Sequence, residues 1–184
     1  MTARVAIVVT ARPSWARVQT VIPYLRIADV DVDLVLTGAA CDRGYGDLRV
    51  ELPTATAIPT LLAEHSDWGA AQTAALTQLH LAQHFHATKP DLVVSIADRT
   101  ETIATAIAAA YQRIPLLHLL AGERSGCIDD RVRDAVTAFA SVACVATVEA
   151  GARVMRATHN IPVCLTGCPS VDLALTAELT PVPD

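Results

Sequence analysis

Two short apolar runs, each closed by an acid and an arginine, constrain this chain more than any other feature. Leu92 to Ile96 ends in Asp98-Arg99, and Pro115 to Leu120 ends in Gly122-Glu123-Arg124. Between them lies the alanine-rich stretch Arg99–Tyr111. Apolar runs of that length without polar alternation suit strands covered on both faces, and alanine-rich sequence favours helix. A strand, a helix and a second strand joined so closely form a parallel pair with a right-handed crossover. The acids and arginines then stand at the carboxyl ends of neighbouring strands, the edge where open α/β sheets bind ligands.

The same alternation runs along the whole chain. Strands are expected near Val5–Val9, Asp33–Leu36, Leu92–Ile96, Leu116–Leu119, Val142–Ala146 and Val163–Leu165. Helices are expected over Ser14–Ile27, Ala70–His86, Arg99–Tyr111, Asp129–Phe139, Val148–Thr158 and Val171–Leu179. Leu52 to Ile58 contains Pro53 and reads as a short extra strand or a loop. Ser66 or Asp67 can cap the helix that follows, while Pro90 and Pro115 stop helices and precede strands. The fold class is α/β: a doubly wound, Rossmann-like parallel sheet in a single domain over residues 1–179, with 180–184 as a tail. The first strand runs into Thr10-Ala11-Arg12-Pro13. It lacks the GxGxxG turn of dinucleotide binders and the lysine of a P-loop.

Composition narrows the function classes. Net charge is −5 and Lys89 is the only lysine among 14 basic residues, with no basic stripe carrying aromatics, which argues against a nucleic-acid surface. No apolar run approaches the roughly 20 residues of a membrane-spanning helix, and Val5 to Val9 is too short for a signal-peptide core. The five cysteines, Cys41, Cys127, Cys144, Cys164 and Cys168, form no CxxC pair and read as reduced thiols of a cytoplasmic protein. Cys127 has no sequence-adjacent histidine to activate it, and His80, His84 and His86 lack the flanking ligands of a zinc site. Hydrophobic residues make up 52% of the chain and mean hydropathy is +0.38. That excess points to apolar surface reserved for a partner.

Individual polar residues allow more than one reading. Arg12, just after the first strand, suits bidentate phosphate contact or plain neutralisation of nearby acids. Asp98 can accept helix amides or handle protons, and Glu123 is either a solvated loop acid or a proton carrier. Asp129 and Asp130 open a helix, where acids also complement the macrodipole. His118, flanked by apolar residues, reads as a buried and hydrogen-bonded core histidine.

The motifs taken together are more specific. PDLVVSIADRTETIATAIAAAYQRIPLLHLLAGERSG resembles a segment of the UDP-N-acetylglucosamine 2-epimerase family, PDLVxVxGDRxExLAxAxAA…xIPxxHxxxGE. The likeness extends upstream to Thr10-x-Arg12, Gly38 and Tyr45-Gly46. Downstream it takes in Ile128-Asp129-Asp130, Arg133, Thr137 and Gly167-Cys168-Pro169-Ser170-x-Asp172, so it spans nearly the whole chain in order. The Gly-Glu, Ile-Asp-Asp and Gly-Cys-Pro-Ser pieces are most similar to the hydrolysing branch, which makes N-acetylmannosamine. The resemblance implies one half of a two-domain, GT-B-type fold that dimerises and binds a UDP-sugar in the interdomain cleft. It implies catalytic roles for Asp98, Glu123 and Asp130, and substrate contacts from Arg12, Arg99, Asp129, Arg133 and Ser170. Elimination of UDP, hydration of the glucal and return of a proton to C2 need neither metal nor redox cofactor.

The chain also departs from that pattern. Its match ends where the second domain of the family begins, which implies a separately encoded partner carrying most of the UDP pocket. The family's Gly-x-His is Gly38-Ala39-Ala40, its Arg-His-Ala is Arg133-Asp134-Ala135, and the lysine that follows is Ala138. Gly-Asp-Arg becomes Ala97-Asp98-Arg99, Gly-Gly-Glu becomes Ala121-Gly122-Glu123, and the other branch's glutamate falls on Leu120. Two expectations follow: half of a hydrolysing epimerase, or a non-catalytic interaction subunit that keeps the fold.

Overall fold

The computed structural model describes residues 2–62, 66–158 and 161–176. Seven parallel strands form one sheet in the order β3-β2-β1-β4-β5-β6-β7. They are β1 (Arg4–Val9), β2 (Asp31–Thr37), β3 (Thr56–Ile58), β4 (Leu92–Ile96), β5 (Leu116–Leu119), β6 (Val142–Val145) and β7 (Val163–Leu165). The order reverses between β1 and β4, so the loops after those two strands flank a crevice at the carboxyl edge. This is the expected Rossmann-like class. Leu52–Ile58 resolves into turn followed by strand: Thr56–Ile58 pairs with Val35–Thr37 at the sheet edge, where Pro53 need not join a ladder.

The helices are α1 (Arg12–Val18), α2 (Ile22–Ile27), α3 (Asp67–Thr88), α4 (Thr102–Tyr111), α5 (Asp129–Phe139), α6 (Val148–Ala157) and α7 (Pro169–Thr176). The single helix expected over Ser14–Ile27 is two. Pro23 sits in the first turn of α2, where its missing N–H costs nothing, whereas in a continuous helix it would clash with the carbonyl of Gln19. Arg99–Tyr111 is helical only from Thr102; Asp98 and Arg99 belong to the turn before it. The expected end of the last helix at Leu179 and the tail at 180–184 lie outside the described residues.

Local chemistry fixes several boundaries. Ser66 caps α3 by accepting from the Gly69 amide at 3.0 Å, and Thr147 caps α6 through the Ala150 amide at 3.1 Å. Lys89 closes α3 in the left-handed conformation, and Pro90 then directs the chain into β4. Ile7, Val9 and Leu36 build the core on one face with Val18 and Ile22. Ala6, Val8 and Val93 build the other with Leu81, Phe85 and the alanines of α4. Those small residues let α3, α4 and α5 pack side by side.

Candidate active site

The site grows out of two strained turns. Ala97 and Leu120 follow β4 and β5 directly, and both adopt the left-handed region, at φ 59° and 63°. That conformation costs a residue with a Cβ about 1–2 kcal/mol, and such strain persists only where surroundings enforce it. His118 supplies part of that enforcement. Fully buried, its Nε2–H donates to the Ala97 carbonyl at 2.8 Å, while Nδ1 lies 2.9 Å from the Thr137 hydroxyl on α5. The histidine thereby ties the turn ahead of Asp98 to the helix that carries Arg133.

Burial pushes the His118 pKa down to about 4, helped by the Arg133 charge and opposed by the Ala97 carbonyl. Its folded value is below its unfolded value of about 6.5, so the neutral ring stabilises the fold above pH 6.5. That contribution is lost as pH falls from 6.5 towards 4, because the unfolded chain takes up the proton first. Urea unfolding is expected to give a stability about 2 kcal/mol lower at pH 5 than at pH 8 from this group. In His118→Asn that part of the slope should vanish. An unchanged slope would mean that another group titrates there.

Arg133 is the hub. Its side chain is 7% exposed and donates to Asp98 Oδ2, to the Glu123 carbonyl at 2.6 Å and to Asp130 Oδ1 at 3.3 Å. Its Nε is buried without an acceptor among the described residues. Asp130 also accepts from the Ser125 and Gly126 amides at 2.8 and 3.0 Å. These bonds, the Ser125 amide foremost, hold its carboxyl below the usual range. Asp130 thus closes the loop before α5 rather than capping the helix. Asp98 likewise spends an oxygen on Arg133.

Glu123 differs from both. Oε1 is buried and without a hydrogen-bond partner among the described residues. Its side chain lines a cavity of about 460 Å³ with Arg17, Arg124, Arg133, Cys168 and Ser170. Gly122, at φ 74°, makes the approach possible, because a Cβ there would run into the Ala150 carbonyl of α6. Arg153 of α6 holds the turn by donating to the Gly122 carbonyl at 2.6 Å.

The remaining sequence candidates are spread out. Arg12 donates to Glu51 at 2.5 Å and to the Gly46 carbonyl at 3.2 Å, so its guanidinium already has an anion. Arg99 turns toward the buried Glu101 at 3.4 Å, beside a separate cavity of about 300 Å³. Asp129 is half-buried with the Cys127 thiol 3.5 Å away. Asp98, Glu123, Asp130 and Arg133 therefore come together, and Ser170 joins through the cavity.

The sequence alone does not single out Arg17, Glu51 or Glu101, nor does it pair Arg124 with Asp134. Arg124 and Asp134 form a two-pronged ion pair at 2.8 and 3.0 Å, so the aspartate standing at the family's histidine position fixes a cavity arginine. A second arginine in the helix that follows β1 was the available signal for Arg17. For Glu101 it was an acid three residues beyond Asp98. Among the described residues no group of His, Cys, Asp or Glu is arranged to hold a metal. Among the same residues no helix is long and apolar enough to cross a membrane.

Comparison with known proteins places this arrangement. The family model described as UDP-N-acetylglucosamine 2-epimerase matches residues 25–181. A UDP-N,N'-diacetylbacillosamine 2-epimerase (hydrolyzing) of Legionella pneumophila is 33% identical over 133 residues, covering 70% of this chain and 35% of that protein. A GDP/UDP-N,N'-diacetylbacillosamine 2-epimerase (hydrolyzing) of Campylobacter jejuni is 27% identical, covering 73% of this chain and 36% of its own. In structure, a UDP-N-acetylglucosamine 2-epimerase superposes with TM-score 0.85 at 21% identity, over all of this chain and 53% of its own. The Neisseria meningitidis enzyme bound to UDP-GlcNAc gives 0.76 at 20% identity, over 95% and 48%. The chain thus spans about half the length of these structures and about a third of the two bacillosamine epimerases. Its sheet is one of the two Rossmann-like halves of a GT-B fold, and the chain belongs to the UDP-N-acetylglucosamine 2-epimerase family.

Proposed function

We propose that this domain is the catalytic half of a hydrolysing 2-epimerase acting on a UDP-linked 2-acetamido sugar, and that a second domain completes its cleft. The observation that carries the reading is Glu123: the residue lines a cavity with Arg17, Arg133 and Ser170, and its Oε1 is buried without a hydrogen-bond partner among the described residues. Unsatisfied buried oxygens are costly and point to a ligand group that completes them. The hydrolysing activity of the Legionella and Campylobacter relatives supports the same direction.

In this reading a carboxylate takes the proton from C2 of the sugar while the C1–O bond breaks and UDP leaves with the bonding pair. Water then adds to the resulting glucal at C1, and a carboxylic acid returns a proton to the opposite face of C2. Glu123 is assigned to the proton transfer because it alone of the three acids keeps a buried oxygen free. Asp98 and Asp130 orient Arg133 and act on the sugar from the other side. Arg17 puts positive charge where negative charge grows on the leaving diphosphate, and Arg124 adds to it only by giving up Asp134. Arg12 can add to this only by exchanging Glu51 for phosphate. Ser170, which lines the cavity, is assigned to the substrate shell; Arg99 and Asp129 stand apart from that cavity and are assigned to it by the family resemblance alone, and no metal or redox cofactor has a role.

The test is to mix the chain with the second domain of the Legionella relative, produced as a separate polypeptide. UDP release and appearance of the free 2-epimerised sugar are then followed with UDP-N-acetylglucosamine and its diacetylbacillosamine counterpart. Stoichiometric UDP and free sugar are expected with one of the two. A stable mixture that turns over neither would give the chain the role of a non-catalytic interaction subunit.

A further inference from the structure

A second cavity, of about 300 Å³, opens beside the turn that follows β4. Ala97 lines the cavity of Glu123, Arg99 and Glu101 line this one, and Asp98 between them bonds Arg133. Glu101 is 3% exposed. Gly38, at φ 56°, lets its carboxylate in, because a Cβ there would stand 2.9 Å from Glu101 Oε1. Glu101 Oε2 and Arg99 Nε lie 3.4 Å apart, and both are buried without a hydrogen bond among the described residues. The cavity therefore presents an unused acceptor and an unused donor side by side, with Leu61, Leu62 and Ala70 as apolar lining.

We propose that this cavity receives the C3 and C4 hydroxyls of the substrate's sugar ring, and that Arg99 and Glu101 thereby select the sugar. The inference rests on the reading of the chain as half of an epimerase for a UDP-linked 2-acetamido sugar. Two neighbouring ring hydroxyls match the pair, one accepting from Arg99 Nε and the other donating to Glu101 Oε2. The other groups of such a substrate fit less well. A phosphate would accept from Arg99 but bring its negative charge against Glu101. A trans acetamide points its N–H and C=O to opposite sides, so it cannot meet both neighbours. The uracil edge offers a like pair, but a ribose and a diphosphate separate it from the sugar that Asp98 faces. A site built to bond hydroxyls rejects an analogue lacking one, because its own buried groups are left unpaired. The diacetylbacillosamine counterpart, with an acetamido group at C4, is then the weaker ligand.

The test is calorimetry on the chain mixed with the second domain of the Legionella relative. UDP-N-acetylglucosamine, its 3-deoxy and 4-deoxy analogues and UDP are titrated into the parent, Glu101→Gln and Arg99→Leu. In the parent each deoxy analogue should bind about tenfold more weakly, the loss of a hydrogen bond to a charged group. Glu101→Gln should erase the deficit of one analogue and Arg99→Leu that of the other, the non-additivity of groups in contact. Arg99→Leu makes the test on a side chain 41% exposed, where folding is not at stake. UDP should bind all three proteins equally. Equal affinity of the parent for the three sugars would leave the pair to solvent and overturn the proposal. Loss of UDP affinity in the variants would give the cavity to the nucleotide and overturn it too. Turnover without hydroxyl discrimination sinks this inference and spares the epimerase reading. Discrimination without turnover does the reverse, and no binding of any nucleotide sugar sinks both.

Discussion

Replacing Arg133 by alanine is expected to cost about 4 kcal/mol of stability and to lower the melting temperature by roughly 10 °C. The guanidinium is 7% exposed and bonds Asp98, Asp130 and the Glu123 carbonyl at once. Its removal leaves two carboxylates without their shared cation. A buried pair broken from one side loses more than the pair ever contributed, because the remaining charge is uncompensated. Arg133→Lys should fall between the two, since one ammonium on a flexible stem cannot span three acceptors held in fork geometry. A melting temperature within 2 °C of the parent at pH 7 would show that the hub carries no energy.

The second large effect concerns chemistry and should leave the fold alone. Glu123→Gln keeps the shape of the side chain and removes the proton carrier. Because Oε1 has no hydrogen-bond partner among the described residues, the amide should alter the melting temperature by no more than about 2 °C. In the two-half mixture, turnover should fall on the order of 10³-fold, the usual contribution of a positioned acid or base. Loss of turnover with unchanged UDP affinity would place the carboxylate on the sugar. Turnover retained within tenfold would move the proton transfer to Asp98 or Asp130.

Most of the architecture can be read from the one-dimensional pattern because it is locally encoded. Continuous apolar runs name β1, β4, β5, β6 and β7, Pro90 and Pro115 name the beginnings of β4 and β5, and Ser66 names a helix start. The break between α1 and α2 was equally local, in Pro23, but an apolar helical period on both sides of it hides the interruption. The site is less legible because its bonds span the chain. Arg133 meets Asp98 35 positions away, and Arg12 meets Glu51 39 positions away. No spacing rule predicts which acid captures which arginine. The family motif gathers Asp98, Glu123, Asp130 and Arg133 correctly into one neighbourhood, yet says nothing of Asp134 clasping Arg124 or of Glu101 buried beside Arg99. Left-handed Ala97 is a middle case. A family glycine marks the turn, and the alanine in its place shows that the turn survives without one, held by His118.

The central claim is that this domain holds half of a nucleotide-sugar site, and titration calorimetry with UDP addresses it most directly. Alone, the chain offers phosphates the cavity arginines and an Arg12 already committed to Glu51, with no pocket of its own assigned to the base. Those contacts barely offset the cost of fixing a flexible nucleotide. A dissociation constant of roughly 1 mM or weaker is predicted for the chain alone, equivalent to about 4 kcal/mol or less. Addition of the second half should tighten it at least tenfold. Micromolar affinity for UDP in the isolated chain, unchanged by the second half, would show a complete nucleotide site in this domain and contradict the account.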